Sequence, residues 1–444
     1  MTYFFETYGC QMNTAESAAL TLVLKERAWE PALDREHSDL VLLNTCSVRA
    51  TAEQRVLGRL ALYEALRKKP AAHPFTLIVT GCMASRLGEK LRERFSVVDY
   101  VMGTSARALF PRILDAIESG QRFVNDDEKP AFAFSSSHLE EGQFRAFVPI
   151  MHGCNNFCAY CIVPYVRGPE VSRSPASIMD EIHLLAEKGV REITLLGQNV
   201  NSYCWGNGDN TFVEFPELLE RIARETEQGP IRWIRFLSSH PKDLSSRAIA
   251  VMAAHPTFCR HIHLCVQHGS NAILAAMNRR YTRERYLELV AELRSAMPDI
   301  TFSTDILIGF PGETESDLEQ TLELMDSTRF LYAYMYHYNP REGTAAFELP
   351  NRIPESIKRE RLARVIALQK QHTVELLQSR RGKQVKALVE GVSRRNADEF
   401  IGRTEHDEMV VMPGRQARFG SFVELTLSSL KGNTFRAKEI LCYD

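Results

Sequence analysis

Gly153-Cys154-Asn155-Asn156-Phe157-Cys158-Ala159-Tyr160-Cys161 is the stretch on which the reading of this chain turns. Its cysteines are separated by three residues and then two, so three thiolates on one short loop can each take one iron of a cubic four-iron cluster. The fourth iron is left without a protein ligand and can bind a substrate or cofactor. Electron carriers of the [4Fe–4S] type close all four positions with cysteine, and structural zinc sites also close four. A glycine before the first cysteine and the polar pair Asn155-Asn156 inside the loop are unlike a chance group of core cysteines, so the spacing reads as a metal loop.

Outward from the loop, residues 144–378 alternate strand-like and helix-like runs. The strands are expected at Ala146 to Met151, Glu192 to Leu196, Trp233 to Leu237, His261 to Val266, Thr301 to Ile308 and Phe330 to His337. Six βα units of this length suit a partial (β/α)6 barrel, whose active-site residues sit on the loops after the strands. The three-cysteine loop follows the first strand. Polar residues fall at other strand ends: Gln198-Asn199, Ser238-Ser239-His240, Gln267-His268, and Asp305 ahead of Gly309-Phe310-Pro311-Gly312-Glu313. Tyr160, Gln198, Asn199, Gln267 and Asp305 are the expected cofactor-binding residues, because amides and carboxylates can hold a ribose, an adenine edge or an amino group. His240 and His268 are read as structural.

Residues 1–125 carry the same alternation. Strands are expected at Tyr3 to Tyr8, Leu40 to Leu43, Thr76 to Thr80 and Tyr100 to Met102, with helices at Glu16 to Arg27, Ala50 to Leu66, Ser85 to Arg94 and Ala106 to Glu118. This predicts an α/β domain with a parallel sheet of the flavodoxin or Rossmann type. Cys10, Cys46 and Cys82 each follow a strand, and in such a sheet the carboxyl ends of all strands share one edge. A second iron–sulfur cluster, again with one open iron, is expected on these three.

Residues 126–143 are polar and aperiodic, as in a linker; they include the run Asp126-Asp127-Glu128 and Ser135-Ser136-Ser137. From Ile353 to Arg380 a long helix rich in Lys and Arg is expected, its charged face either solvated or facing RNA. Residues 379–444 change to short alternating strands punctuated by Gly and Asn, which fits a small β-barrel. Arg394, Arg395, Arg403 and Arg415 are the candidate RNA contacts, with Arg418 beside them.

With 44% hydrophobic and 25% charged residues the 444-residue chain has a globular composition. It lacks an apolar run of ~18 residues and a basic-then-apolar leader, so a cytoplasmic location without membrane contact is expected. Ten cysteines in a reducing compartment favour metal or redox chemistry over disulfides. A net charge of −2 leaves any nucleic-acid binding to local patches.

The chain resembles the methylthiotransferase family of radical S-adenosylmethionine (SAM) enzymes over essentially its whole length. The segments that carry the likeness are Thr7 to Asn13 (TYGCQMN), Asn44 to Arg49 (NTCSVR), Gly81-Cys82-Met83, Gly153 to Arg167, Leu196 to Tyr203 (LGQNVNSY), Ser239-His240-Pro241-Lys242, and Asp305 to Glu315. Gln11-Met12-Asn13 places it nearest the branch that makes 2-methylthio-N6-isopentenyladenosine in tRNA. Two positions depart from the family pattern: Cys265 and His268 stand where a proline and a serine are expected. Cys204, Cys259, Cys265 and Cys442 are read as ordinary thiols.

The resemblance implies an N-terminal α/β domain, a radical SAM barrel, a C-terminal TRAM domain, two [4Fe–4S] clusters and SAM. Cys154, Cys158 and Cys161 would hold the catalytic cluster, whose open iron chelates SAM and delivers the electron that yields a 5′-deoxyadenosyl radical. Cys10, Cys46 and Cys82 would hold the cluster that carries sulfur. The implied reaction adds a methylthio group at C2 of N6-isopentenyladenosine at position 37, next to the anticodon, using two SAM molecules. Its implied partners are a tRNA anticodon stem-loop, an electron donor such as flavodoxin or ferredoxin, and a sulfur donor. Two rivals remain at this point: the same chemistry on an aspartate of a ribosomal protein, which Gln11-Met12-Asn13 disfavours, and a non-enzymatic iron–sulfur RNA sensor.

Overall fold

The computed structural model describes residues 1–47, 50–70, 73–121, 123, 134, 142–206, 208, 211–414 and 418–443. The acidic run at 126–128 and the serines at 135–137 lie outside them. The chain divides into two compact units: Met1–Glu140 with Phe147–Phe157 and Cys161–Arg173, and Glu141–Ala146 with Cys158–Tyr160 and Ser174–Asp444.

In the first unit, β1 (Thr2–Thr7), β2 (Glu30–Pro31), β3 (Leu40–Thr45), β4 (Thr76–Gly81) and β5 (Tyr100–Met102) form one sheet. All pairings are parallel, in the order β2-β1-β3-β4-β5. Strand β3 is buried at every position, as befits a strand covered on both faces. The pleat sorts its residues. Val41 and Leu43 pack with Val56, Leu60 and Tyr63 of helix α2 (Ala50–Arg67), while Leu40 and Leu42 pack with Leu20 and Leu24 of α1 (Gln11–Glu26). This strand order is the flavodoxin one, and it reverses direction between β1 and β3, where a ligand crevice opens. Cys10 and Cys46 follow those two strands.

The expected helix over Ser85 to Arg94 is two helices, α3 (Cys82–Leu87) and α4 (Lys90–Arg94), broken at Gly88. Cys82 therefore begins a helix instead of lying in a loop. Gly81 before it has φ +93°, and a Cβ there would overlap the Thr45 carbonyl, so only glycine lets β4 turn into α3 this close to β3. Helix α5 (Phe110–Glu118) completes the α/β layer.

The strand expected at Ala146 to Met151 is interrupted at Ile150, giving β6 (Arg145–Pro149) and β7 (Met151–His152). After the cysteine loop come α6 (Val163–Arg167) and β8 (Val171–Ser172), which pairs antiparallel with β7. The Cys154 N–H donates to the Gly168 carbonyl at 3.2 Å and closes the base of the loop. Gly153, at φ +81°, allows that closure, since a Cβ would strike the Pro169 carbonyl.

The second unit runs α7 (Pro175–Glu187), β9 (Glu192–Leu196), the hairpin β10 (Cys204–Gly206) and β11 (Phe212–Glu214), α8 (Phe215–Thr226), β12 (Trp233–Phe236) and α9 (Ser246–Ala254). It continues through β13 (His261–His263), α10 (Asn271–Ala276), α11 (Arg283–Ala296), β14 (Thr301–Ile308), α12 (Glu315–Thr328) and β15 (Tyr332–His337). β9 and β12 pair in parallel, as do β13, β14 and β15, and parallel bridges at Ile234–Phe258 and Ser239–Leu264 continue the array. β13 ends earlier than expected because the Thr304 hydroxyl accepts the Val266 N–H and Gln267 turns to φ +68°.

Helix α13 (Glu355–Ser379) corrects one expectation. Its basic face is not wholly solvated: Lys358 and Arg361 are buried, Lys358 Nζ donating to the Tyr338 carbonyl and Arg361 Nη1 to Glu313 Oε1, while Arg359 and Lys370 stay exposed. The C-terminal strands are β16 (Gln384–Ser393), β17 (Asn396–Thr404), β18 (Met409–Pro413), β19 (Phe422–Thr426), β20 (Ser429–Lys431), β21 (Thr434–Arg436) and β22 (Ile440–Tyr443). They form one mostly antiparallel sheet in the order β20-β21-β18-β17-β16-β19-β22 around Val389, Val410, Leu425 and Phe435.

Candidate active site

At the carboxyl edge of the first unit's sheet, a buried amide network fixes the chain around three cysteines. Cys10 stands at the N-terminus of α1 and its thiol donates to Asn13 Oδ1 at 3.3 Å. Asn13 Nδ2 donates to Asn44 Oδ1 at 2.9 Å and to the Thr45 carbonyl at 3.0 Å, clipping α1 to the end of β3 beside Cys46. The Thr45 hydroxyl donates to the Thr80 carbonyl at 2.6 Å, joining that point to the strand that leads to Cys82. A Cβ on Gly9 would come within 2.8 Å of Cys46 Cβ, so the chain before Cys10 lies directly on Cys46.

The electrostatics connect all three thiols. Burial pushes the Cys82 thiol up to about 11; the Arg167 guanidinium opposes that, and charge on Glu16, Cys46 and Cys10 adds to it. Arg167 in turn donates to Glu16 Oε1 at 2.7 Å with both side chains 3% exposed, and Arg107 stands 3.7 Å from the same carboxylate. Burial, reinforced by Arg167, pushes neighbouring His152 down to about 3 and keeps it neutral. Three converging thiols over a buried arginine fit an anionic iron–sulfur cluster: soft ligands that must deprotonate have a fixed countercharge beneath them.

On the other cysteine loop, Cys154 and Cys161 are partly buried and Cys158 is buried. The Asn155 N–H donates to Glu170 Oε1 at 3.1 Å and the Glu170 N–H returns to Asn155 Oδ1 at 3.2 Å. Phe157 takes φ +48° with its ring 48% exposed, a conformation unusual for an aromatic residue. In the second unit, Ala159 donates to the Met277 carbonyl at 2.9 Å and accepts from Ala346 at 2.7 Å. Arg279, fully buried, donates from Nη1 to Cys158 Sγ at 3.2 Å and from Nη2 to the Cys265 carbonyl at 2.9 Å.

The expected cofactor-binding residues lie in the second unit. Tyr160 OH is 3.5 Å from Arg279 Nη1. Gln198 and Asn199 end β9, and Asn199 Nδ2 donates to Asp243 Oδ2 at 2.6 Å. Gln267 bonds through its backbone to the Asp305 carbonyl at 2.9 Å, while the Asp305 side chain meets His263 and Cys265. Nearby strand ends hold buried polar atoms without a protein partner: Asn199 Oδ1, both amide atoms of Asn201, Ser239 Oγ and His240 Nε2. Burying such atoms unpaired costs ~1–3 kcal/mol each, so they fit a polar ligand such as SAM. His268 is structural as expected, paired with Glu313 at 3.2 Å in a wholly buried contact.

Ser239 belongs to the strand-end polar residues read from sequence, whereas Arg279, Asn201 and Asp243 were not among the residues singled out there. The signal for Arg279 was the run Met277-Asn278-Arg279-Arg280-Tyr281, where Asn278 and Arg280 both take positive φ and aim Arg279 inward. Of the RNA candidates, Arg394 and Arg395 line a cleft of about 770 Å³ with Lys431 and Arg436. Arg415 lies outside the described residues. Arg403 is turned inward, pairing with Glu192 at 3.0 Å, Glu390 at 2.9 Å and Asp407 at 2.9 Å, and is a fold residue here.

Three family models match along the chain: the uncharacterized protein family UPF0004 over residues 2–103, the radical SAM superfamily over 148–325 and the TRAM domain over 378–438. Among curated proteins, the tRNA-2-methylthio-N(6)-dimethylallyladenosine synthases of Treponema pallidum (strain Nichols) and Treponema denticola are each 50% identical; both matches cover 98% of this chain, and 98% and 99% of those proteins. That of Bacteroides thetaiotaomicron is 42% identical over 98% of this chain and 96% of its own length. Among solved structures, the radical SAM methyltransferase TsrM from Kitasatospora setae has a similar fold, with TM-score 0.59 at 17% identity over 78% of this chain and 77% of that one.

Proposed function

The chain belongs to the family of tRNA-2-methylthio-N(6)-dimethylallyladenosine synthases, and on that footing we propose how its residues divide the work. It is a radical SAM methylthiotransferase that uses an iron–sulfur cluster and SAM and acts on tRNA. The finer reading is that two [4Fe–4S] clusters are held, one by Cys154, Cys158 and Cys161 and one by Cys10, Cys46 and Cys82, and that adenosine 37 receives the group. What supports it is the convergence of Cys10, Cys46 and Cys82 on one sheet edge over the buried Arg167.

When bound, the clusters and SAM supply the electron, the radical and the sulfur that an unactivated C2–H requires. The chain's own residues bind, orient and insulate. Arg279 donates to the Cys158 sulfur and withdraws charge from it. Asn199, Asn201 and Ser239 offer buried donors and acceptors to the polar ends of SAM. Arg167 balances the charge of the other three thiolates. Tyr160, Gln198 and Gln267 complete the cofactor mouth, while the Asp305 carboxylate is turned to His263 and Cys265. Arg394 and Arg395 contact RNA phosphates, and the base is presented from an unstacked loop.

A flavodoxin- or ferredoxin-type reductase and a separate sulfur donor complete the scheme, in the cytoplasm. Among the described residues no helix is long and apolar enough to cross a membrane. The test is anaerobic reconstitution with iron, sulfide, dithionite and SAM, followed by mass spectrometry of nucleosides from tRNA carrying N6-isopentenyladenosine. Appearance of its 2-methylthio derivative is expected. Release of 5′-deoxyadenosine with unmodified tRNA would overturn the assignment.

A further inference from the structure

We propose that His263, Cys265 and Asp305 form a binding site for a divalent zinc-class cation inside the strand array of the second unit, separate from both sets of cluster cysteines. One ligand atom from each lies within 4.8 Å of the others. His263 Nε2 is 3.4 Å from Asp305 Oδ2, and Cys265 Sγ is 3.3 Å from the same oxygen. A tetrahedral zinc with bonds of ~2.0 Å to nitrogen and oxygen and ~2.3 Å to sulfur places neighbouring ligand atoms roughly 3.3–3.5 Å apart. Two of the three separations already have that value, and the third, His263 to Cys265, lies within 4.8 Å. Imidazole, thiolate and carboxylate are also the ligand types zinc takes, and three protein ligands leave a fourth position open.

A hydrogen-bond relay behind the site orients the imidazole. The Thr301 hydroxyl donates to backbone carbonyls, of Arg260 at 3.1 Å or His406 at 3.0 Å, so its oxygen accepts from His261 Nδ1 at 2.8 Å. His261 Nε2 is then the acceptor for the Ser303 hydroxyl at 2.9 Å. Ser303 Oγ in turn accepts from His263 Nδ1 at 2.9 Å, which turns the His263 Nε2 lone pair toward Cys265 and Asp305. Metal-bound histidines commonly have such an outer partner on the second ring nitrogen. Binding releases the Cys265 thiol proton, and any proton on His263 Nε2, to solvent. Buried Arg279 stands nearby with one positive charge; together with a thiolate and a carboxylate it gives a net charge of −1 to receive the divalent ion.

Cys265 supplies the ligand that makes this a site. On this proposal it is a ligand instead of an ordinary thiol, and a proline at this position would remove the sulfur of the site.

The full-length protein with its clusters loaded is given one equivalent of zinc(II), desalted, and measured by metal analysis and zinc K-edge absorption. One zinc per chain is expected, with one sulfur at ~2.3 Å and nitrogen or oxygen neighbours at ~2.0 Å. Cys265→Ala should lose the sulfur neighbour and weaken binding at least ~100-fold in a chelator competition, and Ser303→Ala should weaken it ~10–100-fold while keeping the sulfur. Should Cys265→Ala fail to fold, His263→Gln carries the same expectation, with the sulfur retained. An all-sulfur shell, unchanged affinity in the Cys265 or His263 variant, or no zinc retained after desalting would each overturn the proposal.

Discussion

The guanidinium of Arg279 reaches the sulfur of Cys158 at 3.2 Å while its other arm holds the Cys265 carbonyl at 2.9 Å. An N–H to a cluster sulfur stabilises the reduced, more negative state and raises the potential. Arg279→Gln should give a lower potential for the cluster on Cys158, read by an EPR-monitored redox titration. Arg279→Lys, which keeps the charge but not the forked geometry, should fall between. An unchanged potential in Arg279→Gln would remove this role.

Glu16 is the carboxylate on which Arg167 and Arg107 both rest. Glu16→Ala takes the carboxylate away from two buried guanidinium groups, and should cost ~3–5 kcal/mol, seen as a lower urea midpoint. Glu16→Gln keeps the shape but not the charge and should cost less.

Gly81→Ala should disturb only one cysteine set. A Cβ at φ +93° pushes on the Thr45 carbonyl and moves Cys82. If each cysteine set holds a cluster as proposed, iron and sulfide per chain should drop toward half, with the EPR signal of a cluster on Cys154, Cys158 and Cys161 retained.

Asp407 makes a pH prediction. Burial alone would raise its pKa, but Arg403, Arg235 and the Tyr332 hydroxyl hold it down to about 2; His261, itself pushed down to about 3 by burial, adds its charge only at the acid end. A carboxyl whose folded pKa is depressed stabilises the protein fully above the unfolded value near 4 and loses that contribution as pH falls from there toward 2, about 2 kcal/mol in all. Asp407→Asn should therefore be less stable than the parent by a constant amount between pH 7 and pH 5, and the gap should narrow below pH 4. Denaturation midpoints across that range check it.

Arg394 and Arg395 should behave unlike Arg403. Replacing both of the first pair with Gln should weaken tRNA binding and reduce the slope of log affinity against log salt by ~2. Arg403→Gln should instead lower the denaturation midpoint, because Glu192, Glu390 and Asp407 lose their shared cation.

Cys154, Cys158 and Cys161 could be read as a metal loop because their spacing is local, and Cys10, Cys46 and Cys82 could be brought together because each follows a strand of one parallel sheet. What escaped has physical reasons. Glu30–Pro31 is too short to carry a period, and the polar start of Asn396–Thr404 reads as loop although β16 holds it by a ladder of backbone bonds. Lys358 and Arg361 read as surface charge because sequence does not reveal that the Tyr338 carbonyl and Glu313 lie opposite them. The pairing of Cys265 with His263 and Asp305 depends on the register of β13 against β14, which no local pattern specifies.

The placement of Cys10, Cys46 and Cys82 on successive strand ends carries a consequence for how the protein is made. Three ligands on one short loop can gather iron from a chain that has scarcely folded. Ligands brought together only by the register of β1, β3 and β4 exist as a set after the long loops between them have closed. On the proposed assignment of a second cluster to these cysteines, metal capture at the sheet edge is expected to be a late event in biogenesis. An iron-starved or slowly folding cell should accumulate protein charged at Cys154, Cys158 and Cys161 before it accumulates protein charged at both.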